Sequence, residues 1–217
     1  MKVTYGAIVQ RASGRFGGTV HSNWKGIDVV RRFARPTNPD TIAQQDVRNA
    51  FRQLSYMYGL LPTETKAAWA TFATGKAFIA RNKLIGINVP LIAGDASYSS
   101  FLPTPGDSST VPPVAFVPTG GNDQITTVIT APSVPTGWTL TGAVAACLNN
   151  DANPSDDTAE APVLTMSEAI DLATPFAPTI TGLIATDYLT WSFLKWLAPD
   201  GSVRYSSALA GGLVTVT

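Results

Sequence analysis

The second half of the chain is patterned as a series of short strands, and this pattern restricts the fold more than any other feature of the sequence. Seven segments rich in Thr and Val alternate apolar and polar residues, as strands with one buried face do. Turn-forming residues separate them, which predicts an all-β domain. The predicted strands occupy residues 114–117, 124–131, 139–148, 163–166, 188–197, 203–207 and 213–217.

The number and spacing of these strands are typical of an immunoglobulin-like β-sandwich. A Pro-Asp-Gly turn at residues 199–201 separates the fifth and sixth predicted strands. Tyr188, with Leu183 shortly before it, opens a long strand and resembles the tyrosine corner of fibronectin type III domains and related sandwiches. Trp138 is the candidate for the inner tryptophan of such a sandwich.

The first 35 residues predict an extended arm. Residues 16–24 and 27–33 form two strand-like runs, and Lys25 and Gly26 between them are a turn signal, so a β-hairpin is expected. The hairpin contains too few apolar residues for a core of its own, and an isolated two-stranded hairpin is only marginally stable in water. We therefore expect the arm to pack against something else, such as another subunit.

Two to three helices are predicted between the arm and the strands. Helical periodicity covers residues 41–61 and 63–75, and a weaker pattern covers residues 77–88. Pro62 separates the first two helices, because the residue before a proline avoids the helical conformation. The apolar face of the first helix is predicted to consist of Ala43, Val47, Ala50, Phe51, Leu54, Tyr58 and Leu61.

Composition divides the chain into three predicted parts within an α+β fold. Residues 1–95 form a basic arm and helical anchoring domain, residues 96–113 a linker rich in Pro, Ser and Gly, and residues 114–217 an acidic sandwich. Residues 1–95 carry 13 Lys or Arg and 5 Asp or Glu, a net charge of +8, whereas residues 96–217 carry 2 and 10, a net charge of −8. Opposed charges of this kind suit docking on an acidic partner or on another copy. The alternative is that each half simply carries its own surface charge.

The sequence contains no convincing catalytic, cofactor or metal motif, and we expect a protein that is not an enzyme. His21 is the only histidine, and the sequence contains no Gly-x-Ser-x-Gly nucleophile elbow with which it could form a catalytic site. Cys147 is the only cysteine, which excludes an internal disulfide and a cysteine-based metal site, and its apolar neighbours predict a buried core residue. No apolar run is long enough to cross a bilayer, and the N-terminus lacks the apolar core of a signal peptide.

The densest basic patch lies at the end of the predicted hairpin. Strand alternation places Arg31 and Phe33 on one face and Arg32 on the other, with Arg35 following. Basic residues beside an aromatic ring bind acidic protein surfaces or nucleic acid. We predict that Arg31, Arg32, Arg35, Phe33 and Trp24 contact a partner in an assembly.

Several short motifs in the N-terminal half occur in an order that resembles a known group of proteins. They are Ser13-Gly14-Arg15-Phe16-Gly17-Gly18, then Trp24-Lys25-Gly26-Ile27, then Asn38-Pro39, Thr41 and Gln44-Gln45, then Arg48 and Phe51, and finally Trp69. This order is similar to that in a family of small proteins encoded by tailed phages, prophages and bacteria.

The resemblance implies a structural component of a virion and not a reaction. Its implied partners are other virion proteins, such as major capsid or tail subunits, in a particle that contains many copies of the chain and is assembled in the host cytoplasm. Immunoglobulin-like domains are also common appendages on phage capsid and tail proteins, although this is an analogy of fold alone.

Four functions remain as hypotheses. The first is a capsid-associated virion protein, such as a decoration or minor head protein, and the second is a tail or connector component. The third is a carbohydrate- or cell-surface-binding module that uses Trp138, Trp191, Trp196 and Tyr205, although Trp191 and Trp196 should face opposite sides of their strand. The fourth is a nucleic-acid-binding protein that uses the basic half.

Overall fold

A computed structural model describes residues 2, 12–35, 39–150, 153–154, 163–169 and 176–217. The chain divides into two compact units, Met1–Asp40 and Thr41–Thr217. The described residues form three helices and eleven strands, which confirms the predicted α+β class.

The first unit contains a three-stranded antiparallel sheet. Strands β1 (Gly14–Phe16), β2 (Thr19–Trp24) and β3 (Ile27–Arg32) lie in that order. Strands β2 and β3 correspond to the two runs of the predicted hairpin, and their turn residues Lys25 and Gly26 have φ angles of 50° and 79°. Positive φ at both turn positions suits the twist of paired strands, and glycine adopts it without strain. Strand β1 was not predicted.

The second unit begins with three helices, α1 (Ile42–Leu60), α2 (Thr63–Ala73) and α3 (Ala80–Ile92). Each lies where helical periodicity predicted it, although α3 begins and ends a few residues later than expected. Pro62 separates α1 from α2, as expected from its effect on the preceding residue.

The buried face of α1 differs from the predicted one. Ala50 and Leu54 are buried as expected, together with Gln53 and Met57, but Val47 is 48% exposed and Phe51 is 56% exposed. Phe51 lies about 100° around the helix from Ala50, so a core centred on Ala50 and Leu54 leaves it at the rim.

Eight strands follow the helices: β4 (Ala115–Gly121), β5 (Gln124–Thr130), β6 (Thr139–Asn149), β7 (Leu164–Ala169), β8 (Thr179–Thr181), β9 (Asp187–Leu197), β10 (Val203–Tyr205) and β11 (Leu209–Thr215). Each of the seven predicted strands overlaps one of them. The short strand β8 was not predicted.

These strands form two antiparallel sheets. The smaller sheet has the order β4-β5-β8, and the larger has the order β10-β9-β6-β7, with β11 also pairing with β9. Strand β11 pairs with residues 187–192 of β9 and β10 with residues 195–197, whereas β6 pairs along nearly the whole of β9. Strands β10 and β11 therefore share one edge of β9.

The larger sheet is buried on both faces. On β9, Leu189 and Trp191 pack with residues of the three helices, whereas Leu194 and Trp196 pack with residues of the smaller sheet. Trp191 and Trp196 therefore face opposite sides of the strand, as their spacing predicted. The second unit has three layers, with the helices on one face of the larger sheet and the smaller sheet on the other.

The segment predicted to be a linker is part of the core. Tyr98 and Phe101 are buried within residues 96–113. The Tyr98 hydroxyl donates a hydrogen bond to Gln53 of α1, and the Phe101 ring meets Trp191 edge-on, with centroids 6.0 Å apart. The proline-rich composition suggested an exposed spacer, but its two aromatic residues fill the space between helices and sheet.

The structure therefore corrects the predicted domain boundary at residue 95. Helices and strands share one core, in which Leu54 of α1, Leu84 of α3 and Ala146 of β6 belong to the same cluster. The division falls after Asp40 instead, so the helices belong to the same unit as the later strands and not to that of the arm.

Two details of the sandwich bear on the sequence analysis. The Tyr188 hydroxyl accepts a hydrogen bond from the Ile184 backbone N–H at 3.2 Å, which is the local contact that a tyrosine corner requires. Trp138 is only partly buried, whereas Trp196 is 1% exposed in the core between the sheets. The tryptophan that fills the core between the two sheets is therefore Trp196 and not Trp138.

We predict that Gly120→Ala destabilises the second unit by about 1–3 kcal/mol, because overpacking a tight contact forces the backbone apart. A Cβ atom at Gly120 would lie 1.8 Å from the Thr215 carbonyl oxygen of β11. Gly86→Ala is the control, since nothing lies within 4 Å of its added Cβ and alanine favours a helix. Urea unfolding should show a loss for Gly120→Ala and none for Gly86→Ala, and equal stability of the two variants would contradict the close packing of β4 on β11.

Candidate interaction surface

Arg31 and Arg32 lie side by side at the end of β3, and both are exposed. Arg31 pairs with Val20 of β2 and Arg32 with Thr19. Neighbouring residues of a strand face opposite sides of the sheet, so the two arginines lie on different faces, as the sequence predicted.

A basic residue that the sequence analysis did not select joins Arg31 on its face. Arg15 of β1 pairs with Val20, which in turn pairs with Arg31. The Arg15 guanidinium lies 3.8 Å from the centre of the Phe33 ring, a cation–π contact. Gly17 and Gly18 before β2 are a turn signal. This signal could have predicted β1, and with it the pairing of Arg15 beside β2. Arg15, Arg31 and Phe33 are called the arm face below.

The remaining predicted residues lie apart from the arm face. Trp24 ends β2 at the opposite end of the hairpin, where it pairs with Ile27. Arg35 is exposed beyond the end of β3. The structure thus brings together Arg31 and Phe33 but leaves Arg32, Arg35 and Trp24 at other positions of the same unit.

The described side chains of the N-terminal part of the chain form no core. Among the residues before Ala50 whose side chains the structure describes, none is buried, and Phe16 is 81% exposed. A paired sheet that covers neither of its faces is at most marginally stable in water. That the arm packs on a surface beyond its own sheet stays a prediction.

Charge is divided between the two units in the same sense as the sequence predicted. Residues 1–40 carry 7 Lys or Arg and 2 Asp or Glu, a net charge of +5, and residues 41–217 carry 8 and 13, a net charge of −5. The corrected boundary leaves the arm basic but moves the helices into the acidic unit.

The two cations in residues 96–217, Lys195 and Arg204, both form ion pairs within the second unit. Lys195 Nζ lies 3.0 Å from Glu64 Oε2 and 3.3 Å from Glu168 Oε1, and the Tyr205 hydroxyl donates to Glu64 at 2.7 Å. Partial burial alone would lower the pKa of Lys195, but the hydrogen bond to Glu64 and the charges of both carboxylates raise it. Because Glu64 belongs to α2, this cluster ties the helices to the larger sheet.

Arg204 forms the second cluster. Its guanidinium lies 3.2 Å from Asp107 Oδ2 and 3.1 Å from Asp200 Oδ2. Burial would raise the pKa of Asp107, but hydrogen bonds from Ser109 and the charge of Arg204 hold it below its usual value. Asp107, Asp200 and Arg204 line a cleft of about 580 Å³. Since the charged groups of the cluster satisfy one another, it fastens the segment before β4 to the β9–β10 turn.

The described residues hold no group of three or more His, Cys, Asp or Glu side chains arranged to bind a metal ion. The His21 Nε2 atom lies 3.4 Å from the Thr19 hydroxyl oxygen. Cys147 is buried as predicted, and burial raises the pKa of its thiol to about 12. No described helix is both long enough and apolar enough to span a membrane.

The aromatic residues suggested for a carbohydrate platform do not form one. Trp191, Trp196 and Tyr205 are buried, and Trp191 and Trp196 belong to different cores. Stacking on a sugar needs an exposed ring, so these three side chains serve packing.

No protein-family model matches the sequence, and no curated protein matches it either.

We predict that limited proteolysis of the full chain removes the first unit and spares residues 96–113. Trypsin should cleave first after Arg31 or Arg32, because they are exposed and their unit has no described buried side chain, whereas Pro36 protects the bond after Arg35. Chymotrypsin should not cleave after Tyr98 or Phe101 while the core is intact. Mass spectrometry of early fragments checks both points, and early cleavage after Phe101 would restore the linker interpretation.

We predict that Lys195→Met lowers the free energy of unfolding by about 1–3 kcal/mol at neutral pH, because two partly buried carboxylates lose their cation. The control is Lys66→Met, since Lys66 is only partly buried and donates one exposed hydrogen bond, to the Gly59 carbonyl. Equal losses in the two variants, measured by urea unfolding, would show that the cluster does not stabilise the fold.

The cluster of Lys195, Glu64, Glu168 and Tyr205 also makes the stability of the fold depend on pH in the alkaline range. The folded-state pKa values of Lys195 and Tyr205 lie above their ordinary values of 10.5 and 10.0. A group with a raised folded-state pKa stabilises the protein below its unfolded-state pKa and loses that contribution as the pH rises through the folded-state value. The wild type should therefore lose stability above about pH 10, and Lys195→Met should lose less over that range.

Proposed function

We propose that this chain is a structural component of a tailed-phage virion, associated with the capsid as a decoration or minor head protein and anchored through its N-terminal residues. The observation that carries the proposal is the contrast in burial along the chain. The described part before residue 50 has no buried side chain, whereas the rest of the described chain has extensive cores.

A subunit made for assembly accounts for this contrast. The first unit has an ordered hydrogen-bonded sheet, a net charge of +5 and an arm face in which Arg15 stacks on Phe33. An acidic surface of a shell protein would pair with the arginines, and contact with that surface would cover the apolar side chains that the sheet leaves exposed. Other virion proteins, such as major capsid subunits, are therefore the proposed partners.

The second unit suits the role of an exposed domain, for which we propose an immunoglobulin-like sandwich. Strands β4, β5 and β8, which are the first, second and fifth of this region, form one sheet, and the third and sixth, β6 and β9, pair in the other. This division is similar to that of immunoglobulin-like sandwiches, with β10 and β11 together in the place of the seventh strand. It differs from the constant-type arrangement in the fourth strand, because β7 pairs with β6 in the larger sheet. The hydrogen bond to Tyr188 at the start of β9 supports the same comparison.

A tail or connector component would use the same anchor, and the location of the protein in the particle separates the two proposals. The nucleic-acid alternative is less well supported, because Arg31 and Arg32 lie on different faces and Arg15 is engaged with Phe33. A single phosphate backbone along one face would meet only part of the patch.

The proposal is tested with particles of the phage or prophage that encodes the chain. Arg31→Glu combined with Arg32→Glu should abolish incorporation, because acidic side chains would then oppose the acidic surface that we propose as the docking site. Occupancy is measured by quantitative mass spectrometry of purified particles. Immunogold labelling of wild-type particles gives the position, and label on tails would favour the tail component.

The matched control is Lys66→Glu combined with Lys83→Glu, which makes the same change in net charge on helices α2 and α3. This control should be incorporated normally. If the arginine variant reaches wild-type occupancy, or if the wild type is absent from particles, the proposal is wrong.

A further inference from the structure

The cleft beside Arg204 has the size of a small-molecule site. It lies within the second unit and is lined by the end of α2 with the turn after it, by the loop before β4, and by the β9–β10 turn with β10. Its volume of about 580 Å³ falls within the about 300–1,000 Å³ that is typical of ligand pockets. The proposed role in a particle does not account for this cleft, so its lining residues are considered for what they could bind.

The loop before β4 is held against β10, and this fixes one side of the cleft. Gly106 has a φ angle of 67°, and a Cβ atom there would lie 2.9 Å from the Ser207 Cβ atom. The Asp107 backbone N–H donates to the Tyr205 carbonyl oxygen at 3.0 Å, and the Asp107 carboxylate lies 3.2 Å from Arg204. A site that is formed before a ligand arrives loses little conformational entropy when it binds.

The ion pairs of Arg204 leave hydrogen-bonding capacity on both carboxylates. Asp107 Oδ1 accepts from the backbone N–H and the hydroxyl of Ser109. Asp200 Oδ1 accepts from the same two groups of Ser202. Among the described residues, each Oδ2 atom accepts only from Arg204. A carboxylate oxygen can accept about two hydrogen bonds, so each Oδ2 atom has room for one more.

The guanidinium of Arg204 also keeps a donor. Its hydrogen bonds within the described part of the chain go to the side chains of Ser202, Asp107, Ser109 and Asp200. A guanidinium has one more N–H than these four bonds use. Acceptors and a donor therefore lie close together at the cleft, and they are held in place by contacts within the protein.

Phe72 and Lys76 line the part of the cleft that comes from α2 and the turn after it. Phe72 is half-buried, and the Lys76 Nζ atom lies 3.5 Å from the centre of its ring, a cation–π contact. Gly75, with a φ angle of 71°, ends the helix and directs the chain toward Lys76. This part of the cleft offers an apolar ring beside a cation.

The charges of the lining residues restrict the chemistry of a ligand. Lys76 and Arg204 balance Asp107 and Asp200, so the lining carries no net charge. An anion would meet two carboxylates. A cation bonded to either carboxylate would lie close to the Arg204 guanidinium, which is 3.1–3.2 Å from both. An apolar ligand would remove water from charged groups without replacing its hydrogen bonds.

A neutral molecule with several hydroxyl groups avoids these costs, because a hydroxyl can donate to a carboxylate and accept from a guanidinium or an ammonium. We propose that the cleft binds a neutral saccharide, whose hydroxyl groups bond to Asp107, Asp200 and Arg204 and whose C–H groups pack on Phe72. This inference does not depend on the proposed function. It also uses none of the aromatic residues that the sequence suggested for a carbohydrate platform.

The affinity should be low, because a small ligand makes few contacts. A monosaccharide has about a dozen non-hydrogen atoms, and a ligand of that size with ordinary efficiency has a dissociation constant of about 1–10 mM. Binding of this strength requires a method that detects weak complexes.

The test is a titration of the ¹⁵N-labelled full-length chain, followed by the shifts of its backbone amide signals. The probes are D-glucose, D-galactose, D-mannose and N-acetyl-D-glucosamine, each up to about 50 mM, which fills most of a site of the expected affinity. Sodium acetate and glycine at the same concentrations represent an anion and a zwitterion. We expect at least one sugar to give saturable shifts confined to residues 71–76, 106–109 and 200–204, and neither charged probe to do so.

Ser108→Tyr should weaken sugar binding at least about tenfold, because a bulky side chain would occupy the cleft. Ser108 is exposed and takes no part in the ion pairs of Arg204. Ser100→Tyr is the matched control, since Ser100 is exposed and lies outside the cleft, and it should bind like the wild type. The amide spectrum of each variant also shows whether it is folded.

Asp200→Asn should weaken binding about three- to tenfold, because a neutral amide oxygen is a weaker acceptor than a carboxylate. Asp123→Asn makes the same change of charge at an exposed position in the turn between β4 and β5, and it should leave the affinity unchanged.

Three results would overturn the proposal. The first is the absence of saturable shifts at the cleft with all four sugars. The second is sugar binding that Ser108→Tyr and Ser100→Tyr affect equally, which would place the sugar elsewhere. The third is saturable binding of acetate or glycine at the cleft, which would identify a charged ligand.

Discussion

Strand β9 is buried on both faces, and the rest of the second unit is arranged around it. Its eleven residues pair with β6 along one edge and with β10 and β11 along the other. Leu189 and Trp191 require an apolar cover on one side, and Leu194 and Trp196 require one on the other. One sheet cannot supply both covers, so the helices and the smaller sheet are each needed, and three layers result. The aromatic residues of the segment before β4 complete the cover on the helical side.

The N-terminal unit stands outside this arrangement. Its strands are hydrogen-bonded to one another, but none of its described side chains is buried. Charge follows the same division, because Lys195 and Arg204 are held by carboxylates of the second unit while Arg31 and Arg32 are exposed in the first. A unit that is basic, carries exposed aromatic side chains and has no described core is suited to bind the surface of a partner. This is the physical basis of the proposed structural role.

Much of the second unit was predictable because its signals are local. Period-two alternation located seven strands, helical periodicity located three helices, and Leu183 with Tyr188 indicated the corner at the start of β9. The failures involve contacts between distant segments. Tyr98 and Phe101 lie in a stretch with the composition of a linker, and Phe51 shares the periodicity of the buried face but lies at its rim. Arg15 joined the arm face only through pairing of a three-residue strand.

The sequence by itself determined where most of the extended and helical segments lie, which end is basic, and that Cys147 is a core residue, since these depend on neighbouring residues and on composition. Tertiary structure decided the rest. It moved the boundary between units from residue 95 to residue 40, because helices and sheet bury their apolar faces against each other. It also left the outward-facing valines of β4 and β5, Val117 and Val128, exposed. Which face of a helix or strand is buried depends on which layers pack against each other, and the periodicity of a single segment does not determine this packing.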